Sequence, residues 1–180
     1  MPNEPNSHTD YRTARKAFIA ACEAVHADPI SRVHPKLPGP DGKPLFMDSV
    51  ALGPRAAKKA VLLIADGAAA SAGATALLQG GISLPEDARL VLVHAFDPFS
   101  FAGASGKDRQ WSLAMLRAIA TEDLAQVTNL TVLTLGTPED GLADVLAPSR
   151  SKSRLAFKQL DAKIGVNPLR KMVADELFRL

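Results

Sequence analysis

Three stretches of the chain are predominantly apolar, the first of them without a break, and they set the frame. Ala60 to Asp66 reads AVLLIAD, Arg89 to Asp97 reads RLVLVHAFD, and Asn129 to Gly136 reads NLTVLTLG. Runs of this length are what strands covered on both faces require. The third carries Thr and Val in an alternating pattern. Between them the period changes. Tyr11, Ala14, Phe18, Ala21, Cys22 and Val25 recur at helical spacing opposite Arg12, Lys16 and Glu23. This predicts a surface helix from Thr9 or Asp10, either able to cap it, to about Ala27. Ser71 to Gln79 is rich in Ala and Leu and ends at Gly80-Gly81, which predicts a second helix with its stop signal. Arg109 to Ala120 predicts a third.

SRVHPKL and PLFMDSVAL flank the turn-rich PGPDGKP between Ile30 and Pro54, which predicts a hairpin or an edge pair of strands. DPFSFAGASGKD is expected to be a loop. After LAPSRSKS, two charged helices are expected, near Ser151 to Ile164 and Pro168 to Leu180. Strands alternating with helices imply an α/β fold with a mostly parallel sheet flanked by helices. Residues 1 to 9 read as a loose tail and 10 to 180 as a single domain, with 151 to 180 as its C-terminal helices.

Composition narrows the function classes. The 180 residues are 47% hydrophobic and 22% charged, with 21 basic against 19 acidic side chains and a net charge of +2. Such a balance gives no general attraction to nucleic acid or an anionic membrane. The basic side chains from Arg150 to Lys163 are expected on the solvated face of an amphipathic helix, with Leu155, Leu160 and Ile164 inward. Cys22 is the single cysteine, so no intrachain disulfide or cysteine metal cluster is expected. The first ten residues lack the basic and apolar regions of a signal peptide, and a cytoplasmic location is expected.

The loop after the first apolar strand is the natural place for chemistry, because ligands of parallel sheets sit at the carboxyl ends of strands. VLLIADGAAASAGATALLQGG offers there one carboxylate, one hydroxyl and otherwise small residues. Gly67 and Gly73 do not fit a dinucleotide fingerprint, and Gly103 to Asp108 lacks both the first glycine and the hydroxyl of a P-loop. Ala69 to Gly73 approximates a nucleophile elbow around Ser71, whose alternative role is a helix N-cap. No histidine follows His94 to complete a late triad. Asp66, His94 and Asp97 are the candidates for a metal, which needs about three protein ligands.

PGPDGKPLFMDSVALGPRAAKKAVLLIADGAAASAGATALLQGG, followed by RLVLVHAFDPFSFA, resembles a bacterial branch of zinc carboxypeptidase-like proteins. These are distant relatives of aspartoacylase and succinylglutamate desuccinylase. The resemblance covers about residues 10 to 103 and rests on Asp48 to Gly53, Gly67, Gly73, Val93-His94-Ala95, Pro98 and Phe101-Ala102. It implies a carboxypeptidase A type fold, here shortened. Aligned on Ala72-Gly73, the family's zinc His falls at Asp66 and its zinc Glu at Ala69. A third His from downstream is missing, Arg109 is the sole remnant of the family's carbonyl-polarising segment, and Glu176 is the sole offer of a late general base. The resemblance therefore implies a vestigial site at Asp66, Ala69 and Arg109, and a protein that binds no catalytic zinc. On this reading it works as a partner-binding or scaffolding subunit, its partner an active enzyme chain, another protein or a second copy. Phe96, Phe99, Phe101 and Trp111 are the candidate interface anchors, their alternative role being to pack under a loop. The rival expectation is a hydrolase, either metal-dependent around Asp66, His94 and Asp97 or using Ser71 as nucleophile.

Overall fold

A computed structural model describes residues 7–103, 108–136, 141–147 and 154–179, with no side-chain account for 7–9. Their elements run α1 (Ser7–Ala24), β1 (Ile30–Pro38), β2 (Pro44–Leu52), β3 (Lys59–Ala65), α2 (Ala68–Gln79) and β4 (Ala88–His94). Then come α3 (Pro98–Phe101), α4 (Arg109–Asp123), β5 (Asn129–Leu135), α5 (Leu142–Leu146), β6 (Arg154–Leu160) and α6 (Val166–Arg179).

One six-stranded sheet has the order β1-β2-β4-β3-β5-β6. The β4-β3-β5-β6 part is parallel, while β1-β2 and β2-β4 are antiparallel. This is the α/β architecture expected, and it follows from the residues. Val61, Leu63 and Ala65 of β3 face one side, with Leu90 and Leu92 of β4, against Phe18 of α1, Leu77 of α2 and Val173 of α6. Leu62 and Ile64, with Val91 and Val93, face the other side against Leu116 and Ile119 of α4. Because both faces of β3 and β4 are covered by helices, their side chains are apolar at nearly every position, with Arg89 and His94 at the two ends of β4 as buried exceptions. The same holds for β5, where Thr131 and Thr134 are as buried as their neighbours.

The hairpin forms as expected. Its turn is closed by Gly39, which donates to Lys43 and accepts from Gly42, whose φ is +73°. Asp41 receives both arms of the Arg12 guanidinium, which holds its carboxyl down at about 2 and ties α1 to the turn.

The helix expected near Ser151 to Ile164 is not formed. Arg154–Leu160 is instead an edge strand, in register with Asn129–Leu135. Leu155 and Phe157 touch the core on the α4 side and Leu160 the core on the α6 side, so a period of two replaces the helical one. Ser151 to Ser153 lie outside the described residues. The last helix does form, from Val166, and buries Leu169, Val173 and Leu177. α1 stops at Ala24, three residues earlier than expected. His26 there takes a φ of +54° and Ala27 donates back to the Cys22 carbonyl, a left-handed stop made without glycine.

Candidate functional site at the carboxyl ends of the parallel strands

The chain leaves β3 at Asp66, whose amide still pairs with Leu135 of β5 (2.9 Å). Gly67 follows with φ +82° and caps α2, so the helix begins at Ala68, three residues before the predicted start. Ser71 is therefore not the N-cap. It lies inside the first turns of α2, fully buried, and its Oγ meets no partner among the described residues. A nucleophile elbow holds its serine outward at the strand-to-helix turn. Here Gly67 and Ala68 occupy that turn, and Ser71 fits neither role.

β4 ends at His94, and Ala95 takes a φ of +53°, an uncommon conformation for a residue with a Cβ. That turn brings the chain back over β3, where Phe96 donates to the Ala65 carbonyl (3.0 Å) and Asp97 donates to Asp66 Oδ1 (3.1 Å). Asp97 in turn caps the short α3 by accepting from the Ser100 amide (3.0 Å), with Pro98 in the first helical position. Arg109 opens α4 and lays its guanidinium 5.5 Å from the centre of the Phe96 ring. Gly136, with φ +72°, lets the end of β5 approach, because a Cβ there would stand 2.7 Å from the Asp66 carbonyl oxygen.

Asp66, Asp97 and Arg109 thus form one charged cluster. Burial pushes the Asp66 carboxyl up to about 6, opposed by the Asp97 amide that donates to it, while the Asp97 charge adds to the rise and Arg109 lowers it. A carboxyl that changes charge near neutrality, beside a second carboxylate and an arginine, is the electrostatic signature of a binding or catalytic position.

His94 does not join this cluster. Its ring is fully buried, stacked on Phe18 of α1 at 4.6 Å, and neither ring nitrogen has a partner among the described residues. The charges acting on it are Asp48 and Arg15, not Asp66 or Asp97. Desolvation holds its pKa down at about 4. The folded state refuses a proton that the unfolded chain takes up below about pH 6.5. Stability is therefore complete above that pH and is lost as pH falls toward 4. His94→Leu, which removes both unpaired nitrogens, is expected to flatten the acid limb. At pH 5 the wild type should have lost about 2 kcal/mol that the variant keeps. Urea melts of both proteins at pH 7 and 5 measure the difference.

The donors therefore do not fit a zinc ion. Zinc requires three or more ligands converging at about 2 Å, and His94 is walled off under α1. One oxygen of Asp66 is occupied by the Asp97 amide, and Ala69 has nothing to donate. Among the described residues, no group of three His, Cys, Asp or Glu side chains is placed to hold a metal. Glu176 is also elsewhere. It lies on α6, where Lys158 and Thr131 both hydrogen-bond to its carboxylate.

The aromatic residues pack inward. Phe96, Phe99, Phe101 and Trp111 are all buried within the core on the α4 side. Phe99 meets Trp111 edge-on at 5.9 Å, and Phe101 meets Tyr11 at 5.6 Å. They seal the apolar layer under the 95–103 connection, and Phe101 also lines the groove between α1 and α2. His34 packs against two of them. Its Nδ1 accepts from the amides of Lys36 and Leu37, so Nε2 carries the proton it gives Asp108 (3.1 Å). Asp108 also caps α4 through the Trp111 amide (2.9 Å). This strap between β1 and α4 joins residues 74 apart in sequence, and no local pattern signals it.

Several solved structures share the fold at low sequence identity. An aspartoacylase family protein from Mesorhizobium loti superposes with a TM-score of 0.52 at 14% identity, over 84% of this chain and 67% of its own. A candidate metallopeptidase from Shewanella denitrificans gives 0.52 at 12% identity, over 94% and 88%. A glutaminyl cyclase from Macrostomum lignano gives 0.46 at 12% identity, over 89% and 67%. The chain thus spans about two thirds of the length of two of these. The first two share the α/β fold of this chain, a six-stranded sheet flanked by helices. No helix among the described residues is long and apolar enough to cross a membrane. No curated protein matches the chain by sequence. One family does: its profile, described as "Protein of unknown function (DUF2817)", matches residues 8–105, more than half of the chain, and the chain belongs to that family.

Proposed function

We propose that this chain is a zinc-peptidase-like protein whose metal clamp has been dismantled and which works by binding another protein chain. The observation that carries the reading is the separation of its donors. Asp66 and Asp97 lie together over β3 and β4, His94 is sequestered against Phe18, and Ala69 stands where the resemblance places a ligand. A shallow, largely apolar groove of about 410 Å³ supports the binding half of the proposal. It runs between α1 and α2, beside the Asp66 loop, and is lined by Ala14, Ala17, Ala68, Ala72 and Phe101. Small side chains on both helices let another backbone approach closely.

Protein purified from zinc-supplemented culture is expected to carry no stoichiometric zinc, and its content is expected not to change in Asp66→Ala. Stoichiometric metal that disappears with Asp66→Ala overturns the reading. Light scattering after gel filtration, on the chain alone and on its endogenous complex, tests the partner. Elution at a fixed ratio with a second chain is expected.

The charged cluster favours a second reading, a hydrolase built on Asp66, Asp97 and Arg109. Ester or amide hydrolysis abolished by both Asp66→Asn and Arg109→Gln would establish it. On either reading the cluster costs stability. The Asp66 carboxyl binds its proton more tightly folded than unfolded, so it stabilises below about pH 4 and that contribution is lost as pH rises through about 6. Asp66→Asn keeps the acceptor for the Asp97 amide and is expected to raise stability at pH 8. About 1 kcal/mol is expected, since the carboxyl retains some contact with solvent. Thermal melts at pH 5 and 8 check the sign.

A further inference from the structure

At the opposite end of the sheet, away from Asp66, a cavity of about 410 Å³ opens where α1 hands over to β1. Its position follows from the register. β1 begins at Ile30 opposite Ser49, whereas β2 runs on alongside β4 to Leu52. The last rungs of β2 therefore have a strand on one side only. The parity of β2 says which groups are left over. Phe46, which lies beyond the last rung shared with β4, gives its amide and carbonyl to the Tyr11 hydroxyl (2.7 and 2.9 Å). Even positions thus face the β4 side, and odd positions face β1. Ala51, at the cavity wall, directs its N–H and C=O to the side where β1 has not yet begun. Among the described residues nothing pairs with them there.

Two arginines reach the same cavity. Arg89 is 4% exposed, and it gives one donor to the Gly53 carbonyl (2.6 Å) and one to Asp123 (2.9 Å). Its Nε–H is buried and meets no acceptor among the described residues. A buried guanidinium with two of its five donors engaged among the described residues is unusual, because a buried donor without an acceptor keeps its desolvation cost. Arg55 stands exposed at the rim, and Ile30, 43% exposed, supplies an apolar wall. Of the two carboxylates in the lining, Asp123 is neutralised by Arg89, and Asp28 is exposed.

From these observations we infer that the cavity binds the free carboxyl end of an extended peptide. Its last amide unit would pair with the open Ala51 rung, and its carboxylate would lie between Arg89 and Arg55. The two parts of the ligand answer two separate features. An open rung selects an extended backbone, which adds to a sheet edge by main-chain hydrogen bonds. Guanidinium donors select a planar carboxylate. The site is independent of the Asp66 reading, since it shares no residue with that cluster.

Nitrogen-15 spectra of the full chain, resolving the Arg89 Nε–H and the Ala51 amide, test the inference with three probes. These are trialanine as the free acid, trialanine amide, and sodium acetate. The free acid is expected to shift both signals saturably, and the amide to bind at least about tenfold more weakly. Acetate is expected to shift Arg89 alone. Equal shifts from acid and amide, or no shift of Arg89, overturn the inference. So does acetate binding as tightly as the tripeptide acid, because the site then reads only a carboxylate. Arg55→Gln, at an exposed position, is expected to fold normally and to weaken the free acid about tenfold. Unchanged binding in that variant overturns the two-arginine site. The variant matters because replacing the buried Arg89 also removes the Gly53 and Asp123 contacts.

Discussion

Asp48→Ala is expected to lower the unfolding free energy by about 3 kcal/mol or more, with the midpoint of a urea melt falling accordingly. Asp48 is fully buried on β2, opposite His94 in the sheet. Its two oxygens take the Arg15 guanidinium in a bidentate pair (2.8 and 3.0 Å), and Oδ1 also accepts from the Ser31 hydroxyl. Arg15 is further fixed over the Phe46 ring, 4.1 Å from its centre. Removing the carboxylate strands a partly buried guanidinium and takes the acceptor from the Ser31 hydroxyl on the exposed edge strand in one step. The loss is expected at the low end of that for a fully buried pair because the Arg15 side chain is 26% exposed and can turn toward water. Asp48→Asn separates the components. It keeps the shape and one acceptor but presents an amine to Arg15, so it should recover only part of the loss. A decrease below about 1 kcal/mol in Asp48→Ala would show that the pair contributes no more than a surface salt bridge.

Gly53→Ala is expected to cost about 3 kcal/mol as well, for a reason that lies in the backbone. Gly53 ends β2 with φ +92°, and a Cβ built there stands 2.4 Å from the Ala88 carbonyl oxygen and 3.2 Å from the Arg89 Cα. A left-handed φ alone costs a residue with a Cβ about 1–2 kcal/mol. Overlap with backbone rather than with a flexible side chain forces β2 and β4 apart and adds to it. The Gly53 carbonyl is the acceptor for Arg89, so the displacement also loosens the Arg89–Asp123 pair. Gly42→Ala is the control. Its φ is +73°, yet its Cβ would meet nothing within 4 Å, so only the conformational part remains. Equal losses in the two variants would refute the contribution of the close approach.

These two residues bound the Asp48 to Gly53 segment that carried the family resemblance. Both have structural work: the first fastens α1 and β1 to β2, and the second lets the β2 end pass β4. Their spacing is readable in the sequence, but their partners are not. Arg15 lies 33 positions before Asp48, and Ala88 lies 35 after Gly53.

The sequence by itself determined the layered α/β plan. Largely apolar runs identified β3, β4 and β5, because a strand covered on both faces accepts a charge only where a partner meets it, as Asp123 meets Arg89. Turn residues located the β1–β2 hairpin, and the 3.6-residue period located α1 and α4. Local pattern failed where two structures bury the same residues. In β6, Leu155, Leu160 and Ile164 fit a helix face, but an edge strand against β5 buries Leu155, Phe157 and Leu160 with its period of two. The identity of residues 66 and 69 was likewise legible in the chain. What tertiary structure decided was which groups meet. It placed Asp97 and Arg109 on Asp66, sealed His94 under Phe18, turned four aromatics inward and left Arg89 beside an open rung of β2. Each of these depends on contacts between residues far apart in the chain, where packing and desolvation, rather than any local period, choose the partner.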